Sequence, residues 1–154
     1  MHLEQLGQLV GTWALESTHP AFPGVVVNGS ADISWLEGNR FLIQRARIDH
    51  PDFPDSVSIV GDMTSDRVDD ARCGAPEPGA WAMHYYDSRG VFRLYQVSID
   101  AGVWRIWRNA EEFSQRFTGT LAHEGKTIVG QWELCRDGET WNTDLEITYR
   151  RLST

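Results

Sequence analysis

From Gly11 onward the chain alternates. Apolar β-branched and aromatic residues recur at every second position in short runs, and Gly, Asp and Asn break the runs. Trp141, Leu145, Ile147 and Tyr149 alternate with Asn142, Asp144, Glu146 and Thr148. Ile128, Trp132 and Leu134 alternate with Val129, Gln131, Glu133 and Cys135. Phe113, Gln115 and Phe117 oppose Ser114, Arg116 and Thr118, and Ile33 and Trp35 oppose Asp32 and Ser34. Turns are marked by Glu37-Gly38-Asn39, Asp87-Ser88-Arg89-Gly90, Asp100-Ala101-Gly102, His123-Glu124-Gly125-Lys126 and Arg136-Asp137-Gly138-Glu139. Hairpin turns need positive φ, which Gly, Asn and Asp reach at least cost. Cutting there predicts ten strands, near residues 11–18, 25–36, 40–48, 56–65, 79–86, 91–99, 103–108, 113–122, 127–135 and 140–150. Ahead of them, Leu3, Leu6, Leu9 and Val10 at helical spacing predict one short amphipathic helix over 3–9. The stretch 66–79, DRVDDARCGAPEPG, reads as one long mobile loop.

One wet and one dry face on successive hairpins is the pattern of an antiparallel sheet with one side buried. Ten such strands without covering helices would leave exposed edges unless the sheet closes. The expected fold is therefore all-β: an antiparallel up-and-down β-barrel of about ten strands with a short N-terminal helix, in one domain spanning 1–154. A two-sheet sandwich is the rival.

Charge narrows the partners. With 14 Lys and Arg against 22 Asp and Glu the net charge is −8. That argues against nucleic acid and against an anionic membrane surface, both of which need clustered cations. Residues 1–13 show no basic region followed by an apolar one, and Cys73 and Cys135 have no CxxC spacing. Both features lead us to expect a cytoplasmic protein. A disulfide between the two and a homodimer stay open.

The segment Leu9-Val10-Gly11-Thr12-Trp13 opens the first strand, and Thr148-Tyr149-Arg150-Arg151 closes the last. A Gly-x-Trp on strand one with a terminal Arg resembles the calycin superfamily of lipocalins, fatty-acid-binding proteins and nitrobindin-like barrels. The resemblance implies a Trp that plugs the closed end with an Arg packed across its ring, here Trp13 and Arg150, both structural. Strand alternation independently brings Arg150 back to Trp13. Nitrobindin-like relatives would imply haem on a late-strand His. Residues 127–151 contain no His, so neither haem nor any other cofactor is expected.

One end of such a barrel carries a repeat: His19-Pro20-Ala21-Phe22-Pro23 and His50-Pro51-Asp52-Phe53-Pro54. Pro stiffens both loops, so Phe22 and Phe53 are expected to guard a portal, or simply to cover the barrel end. The two His lack a third ligand at metal spacing, so no metal is expected. Nearby inward candidates are Arg45, His84, Tyr86, Arg93, Tyr95, Trp107, Gln115, Trp132 and Trp141. Over 79–86 either Trp81, Met83 and Tyr85 or Ala82, His84 and Tyr86 face in, because both faces carry aromatics. An inward Arg45 needs an acid, water or an anionic ligand. Barrel Trp residues also serve as plain core filling.

No nucleophile elbow, P-loop, dinucleotide fingerprint or zinc-protease motif occurs. The run His84-Tyr85-Tyr86-Asp87-Ser88-Arg89 is the densest chemistry, although Asp87 and Ser88 are also ordinary turn residues. The expected function is binding of a small, largely apolar or amphipathic molecule, anionic if it answers an inward Arg, inside the barrel. Two alternatives remain: a cofactor-independent isomerase, cyclase or hydratase using His84 and Tyr86, and a filled barrel acting as an interaction module.

Overall fold

The computed structural model describes residues 3–62, 77 and 79–153. Ten strands follow a 3₁₀ helix at Leu3–Leu9: β1 Gly11–Thr18, β2 Val27–Trp35, β3 Leu42–Ile48, β4 Ser56–Asp62, β5 Trp81–Asp87, β6 Phe92–Asp100, β7 Val103–Arg108, β8 Ser114–Ala122, β9 Thr127–Cys135 and β10 Trp141–Ser153. Every strand pairs antiparallel with its sequence neighbours, and β1 pairs with β10, so the sheet closes as a barrel. Closure removes the free edges that ten strands would otherwise expose. The predicted strands and helix are all present. The 66–79 loop, Asp69-Asp70 and Cys73 lie almost wholly outside the described residues, with only Glu77 and Gly79 of that stretch described.

The turns use the residues that tolerate positive φ. Gly38 and Asn39 sit at 87° and 54°, and Gly102 follows Ala101 at 76° and 49°. The helix plugs one end, with Leu6 and Leu9 buried. Trp13 is fully buried beneath it and donates its indole N–H to the Leu9 carbonyl at 2.9 Å.

A chain of aromatic rings, edge-to-face at every step but the tilted Phe117–Trp132 pair, fills much of the barrel axis. It runs Trp13–Tyr149–Trp104–Phe117–Trp132–Tyr95–Tyr85, with neighbouring ring centroids 5.0–6.0 Å apart. Each such pair contributes about 0.5–1.5 kcal/mol beyond simple burial. Phe117 reaches the centre because its ring lies over Gly119 and Gly130. These two are cross-strand partners, and a Cβ on either would stand 2.5–2.8 Å from that ring.

The closing Arg is displaced by one residue from the expected position. The regular register that runs from Trp13 to Thr18 sets Trp13 opposite Arg151 and Ala14 opposite Arg150. Arg151 shares the inward face with Tyr149, and its guanidinium lies 4.1 Å from the Trp13 ring centroid. It donates to the carbonyls of Gln8 at 2.8 Å, Gly125 at 3.1 Å and Val10. Burial lowers its pKa. Arg150 points outward and pairs with Glu16 at 3.5 Å.

Candidate functional site

At the barrel end opposite the helix, the two His-Pro loops fold alike. Pro holds the second turn position, and the Phe N–H donates to the His carbonyl, at 2.9 Å for Phe22–His19 and 3.2 Å for Phe53–His50. In each loop the imidazole Nδ1 accepts the N–H two residues on, from Ala21 at 3.0 Å and from Asp52 at 3.1 Å. An accepting Nδ1 places the ring proton on Nε2. His19 Nε2–H accordingly donates to Asp144 Oδ1 at 3.1 Å. The four rings cluster at 5.1–6.1 Å centroid separations, with Phe22 against Phe53 at 5.9 Å. Phe22 and Phe53 thus stand half-buried at the mouth, packed on each other and on both His.

The arc of the mouth formed by β5–β8 is polar. Tyr85 pairs across the ladder with Arg93, Met83 with Tyr95, and Arg108 with Gln115, all on the inward face. Tyr95 donates its hydroxyl proton to Gln115 Oε1 at 2.8 Å. Burial raises the Tyr95 pKa, while the nearby Arg93 and Arg108 guanidinium groups oppose that rise. Arg93 stacks 5.0 Å from the Phe113 ring centroid, which Arg136 also approaches at 5.0 Å. No carboxylate lies within ion-pair distance of Arg93 among the described residues.

Asp87 organises the rim beside this arc. Its Oδ2 accepts from the Tyr85 hydroxyl at 2.8 Å and from Arg89 Nη2 at 2.7 Å, and its Oδ1 accepts the Arg89 N–H at 2.9 Å. Burial works against its charge, but the bonds from Arg89, Tyr85 and the backbone prevail and hold its pKa at about 2. Burial and then the Asp87 bond push the Tyr85 phenol up.

The expected inward residues divide. Arg93 and Gln115 face the interior on the polar arc with Tyr95 between them, and Trp132 faces in from β9 against Tyr95. Five others face outward, which corrects their expected place in the chamber. Arg45 is exposed on β3, because Leu42, Gln44, Ala46 and Ile48 take the inner face. His84 and Tyr86 lie on the outer face of β5 and stack on Phe92, at 6.3 and 5.3 Å, because Trp81, Met83 and Tyr85 turn inward. Trp107 faces out because Trp104 and Ile106 fill the core side of β7. Trp141 faces out because the ladder between β9 and β10 shifts at Thr143–Leu145, leaving Asp144 as an extra residue. The enzyme alternative loses its interior base with this geometry, since His84 is not inside the barrel.

Two contributors, Arg108 and Gln44, were absent from the expected set. Arg108 ends β7 on the inner face opposite Gln115. Tyr85 was one of two parity choices. Gln44 reaches the buried Tyr149, whose pKa burial pushes up to about 12 while that bond opposes the rise. The signal for β3 was present in its pattern: Arg45 and Arg47 share a face, and two cations mark the wet side.

No protein-family model matches the sequence, and no curated protein matches it. Solved structures do. Rv2717c from M. tuberculosis superposes with a TM-score of 0.60 at 14% identity, over 97% of this chain and 96% of that one. The S-type phycobiliprotein lyase CPES from Guillardia theta superposes with a TM-score of 0.59 at 10% identity, over 100% of this chain and 94% of that one. At such identities the likeness is one of fold alone.

Proposed function

We propose that this chain binds a small molecule with an apolar body and one anionic group at the mouth half of its barrel. The observation that carries the reading is Arg93: an inward guanidinium without a carboxylate partner among the described residues, beside the Tyr95–Gln115 pair. A partly buried cation without a carboxylate partner favours an anion that supplies the missing charge. The apolar body would lie against Trp132 and the Phe22–Phe53 pair. A phycobiliprotein lyase built on a similar barrel supports a barrel that handles another molecule. No described helix is long and apolar enough to cross a membrane.

A second reading draws on the aromatic chain along the axis, which favours a filled barrel that presents only its surface. One experiment separates the two. Native mass spectrometry of freshly purified protein, followed by denaturing extraction, is expected to release a stoichiometric small molecule. Decanoate added to stripped protein is expected to bind, and Arg93→Gln to weaken it about tenfold, near 1.4 kcal/mol. Decanol should not distinguish the two proteins. A clean apo mass together with no decanoate binding would favour the filled barrel.

A further inference from the structure

The two tryptophans that turn out of the barrel define a place of their own. On the outer wall, side chains of β6 to β9 form two cross-strand rows: Gln96, Trp107, Arg116 and Glu133 in one, Ser98, Arg105, Thr118 and Gln131 in the other. Between these rows and Trp141 lies a cavity of about 590 Å³, a volume within the range of small-molecule sites. Ile106 and Phe117 of the core form its floor, and the other lining side chains in these rows lie on the outer face.

Its walls differ in how far their chemistry is satisfied. Arg116 is committed: it donates to Glu133 at 2.9 and 3.1 Å, and its guanidinium covers the Trp141 ring at 4.0 Å. That unit is electrically neutral. Two donors beside it are not committed. The Trp107 indole N–H is buried and has no acceptor among the described residues. Arg105 has no carboxylate within ion-pair distance among the described residues. A buried N–H without an acceptor costs about 1–3 kcal/mol, so an acceptor delivered to it is favoured. Glu77 also lines the cavity, and with Glu133 it balances the two arginines. A doubly charged group such as a phosphate ester is therefore disfavoured, and a single carboxylate fits.

We propose that this outer-wall cavity is a second binding site, which takes a flat aromatic carboxylate: the ring against the indoles of Trp107 and Trp141, the carboxylate accepting from Trp107 Nε1 and Arg105. The Thr118 and Ser98 hydroxyls supply further polar contacts at its edge. The site is independent of the mouth, and neither reading requires the other.

The test is a titration of the full chain with 2-naphthoate, followed by the indole N–H resonances in nitrogen-15 spectra. The Trp107 resonance is assigned by its loss in Trp107→Phe, and, should that variant fold poorly, by sequential assignment of the wild type. A saturating shift of the Trp107 N–H is expected. Arg105→Gln, a change on the exposed surface, is expected to weaken binding about tenfold. Arg93→Gln is expected to leave this shift unchanged, and neutral 2-naphthylmethanol to bind at least tenfold more weakly. An unmoved Trp107 resonance, shifts confined to Trp132, or indifference to Arg105→Gln would each overturn the proposal. Loss of the shift in Arg93→Gln would place the naphthoate at the mouth and overturn it likewise.

Discussion

Single side chains decide how much of the barrel is filled. Phe117 lies where it does because positions 119 and 130 have no Cβ. Gly130→Ala should therefore force the ring off its rotamer and cost about 1–3 kcal/mol. The expected result is a lowered midpoint in urea with an unchanged slope. Asp87 acts at the same scale. Its pKa of about 2 lies below the ordinary carboxylate value, so the unfolded chain takes up the proton first as pH falls. Its contribution to stability is full above about pH 4 and is lost as pH falls toward 2. Asp87→Asn should remove the ion pair with Arg89 and weaken the bond to Tyr85, flattening that part of the stability–pH curve. Urea midpoints of both proteins measured from pH 2 to 7 check this, and parallel curves would contradict it.

At the scale of elements, the His-Pro loops show how a five-residue motif becomes a fixed turn. Each imidazole accepts the backbone N–H that the turn would otherwise leave open, and each ring then packs on the other loop's Phe. His50→Ala should lose both. Faster hydrogen exchange is expected over residues 50–54 and also over 19–23, with a cost of about 0.5–1.5 kcal/mol. Exchange raised only in 50–54 would mean that the two loops are not coupled. The motif and its two Phe were legible in the sequence, because Pro and His act locally. The facing of strand residues was only partly legible. On β8 and β9 one face is plainly apolar, and Gln115 and Trp132 were read correctly as inward. On β5 and β7 aromatics occupy both faces, so periodicity could not choose for His84, Tyr86 or Trp107. On β10 the pattern looked regular, but Asp144 is an extra residue in the ladder, and one extra residue sends Trp141 to the other side.

For the whole molecule, closure depends on the contact between the chain's two ends. Arg151 joins the last strand, the turn at Gly125 and the N-terminal plug through three carbonyls while covering Trp13. Arg151→Ala should leave those carbonyls without that donor and open the plugged end. A loss of about 2–4 kcal/mol and a red-shifted tryptophan emission are expected, measured by urea unfolding and fluorescence. Arg150→Ala, on the outer face beside Glu16, should change stability by less than about 1 kcal/mol. Equal effects of the two variants would contradict the assignment of the clamp to Arg151.

By itself the sequence determined the strands, their turns, the plug helix and the need for a closed sheet, because alternation and turn chemistry act over a few residues. Only the tertiary structure decided which face of β3, β5 and β7 is inside, that Arg151 rather than Arg150 crosses Trp13, and that two tryptophans line the outer wall. The reason is physical: side-chain facing reverses with each one-residue shift in pairing. The shift at Asp144 turns Trp141 outward, whereas β3, β5 and β7 pair without shifts, and there packing across the whole barrel chooses the inner face, which a single strand's own pattern does not contain.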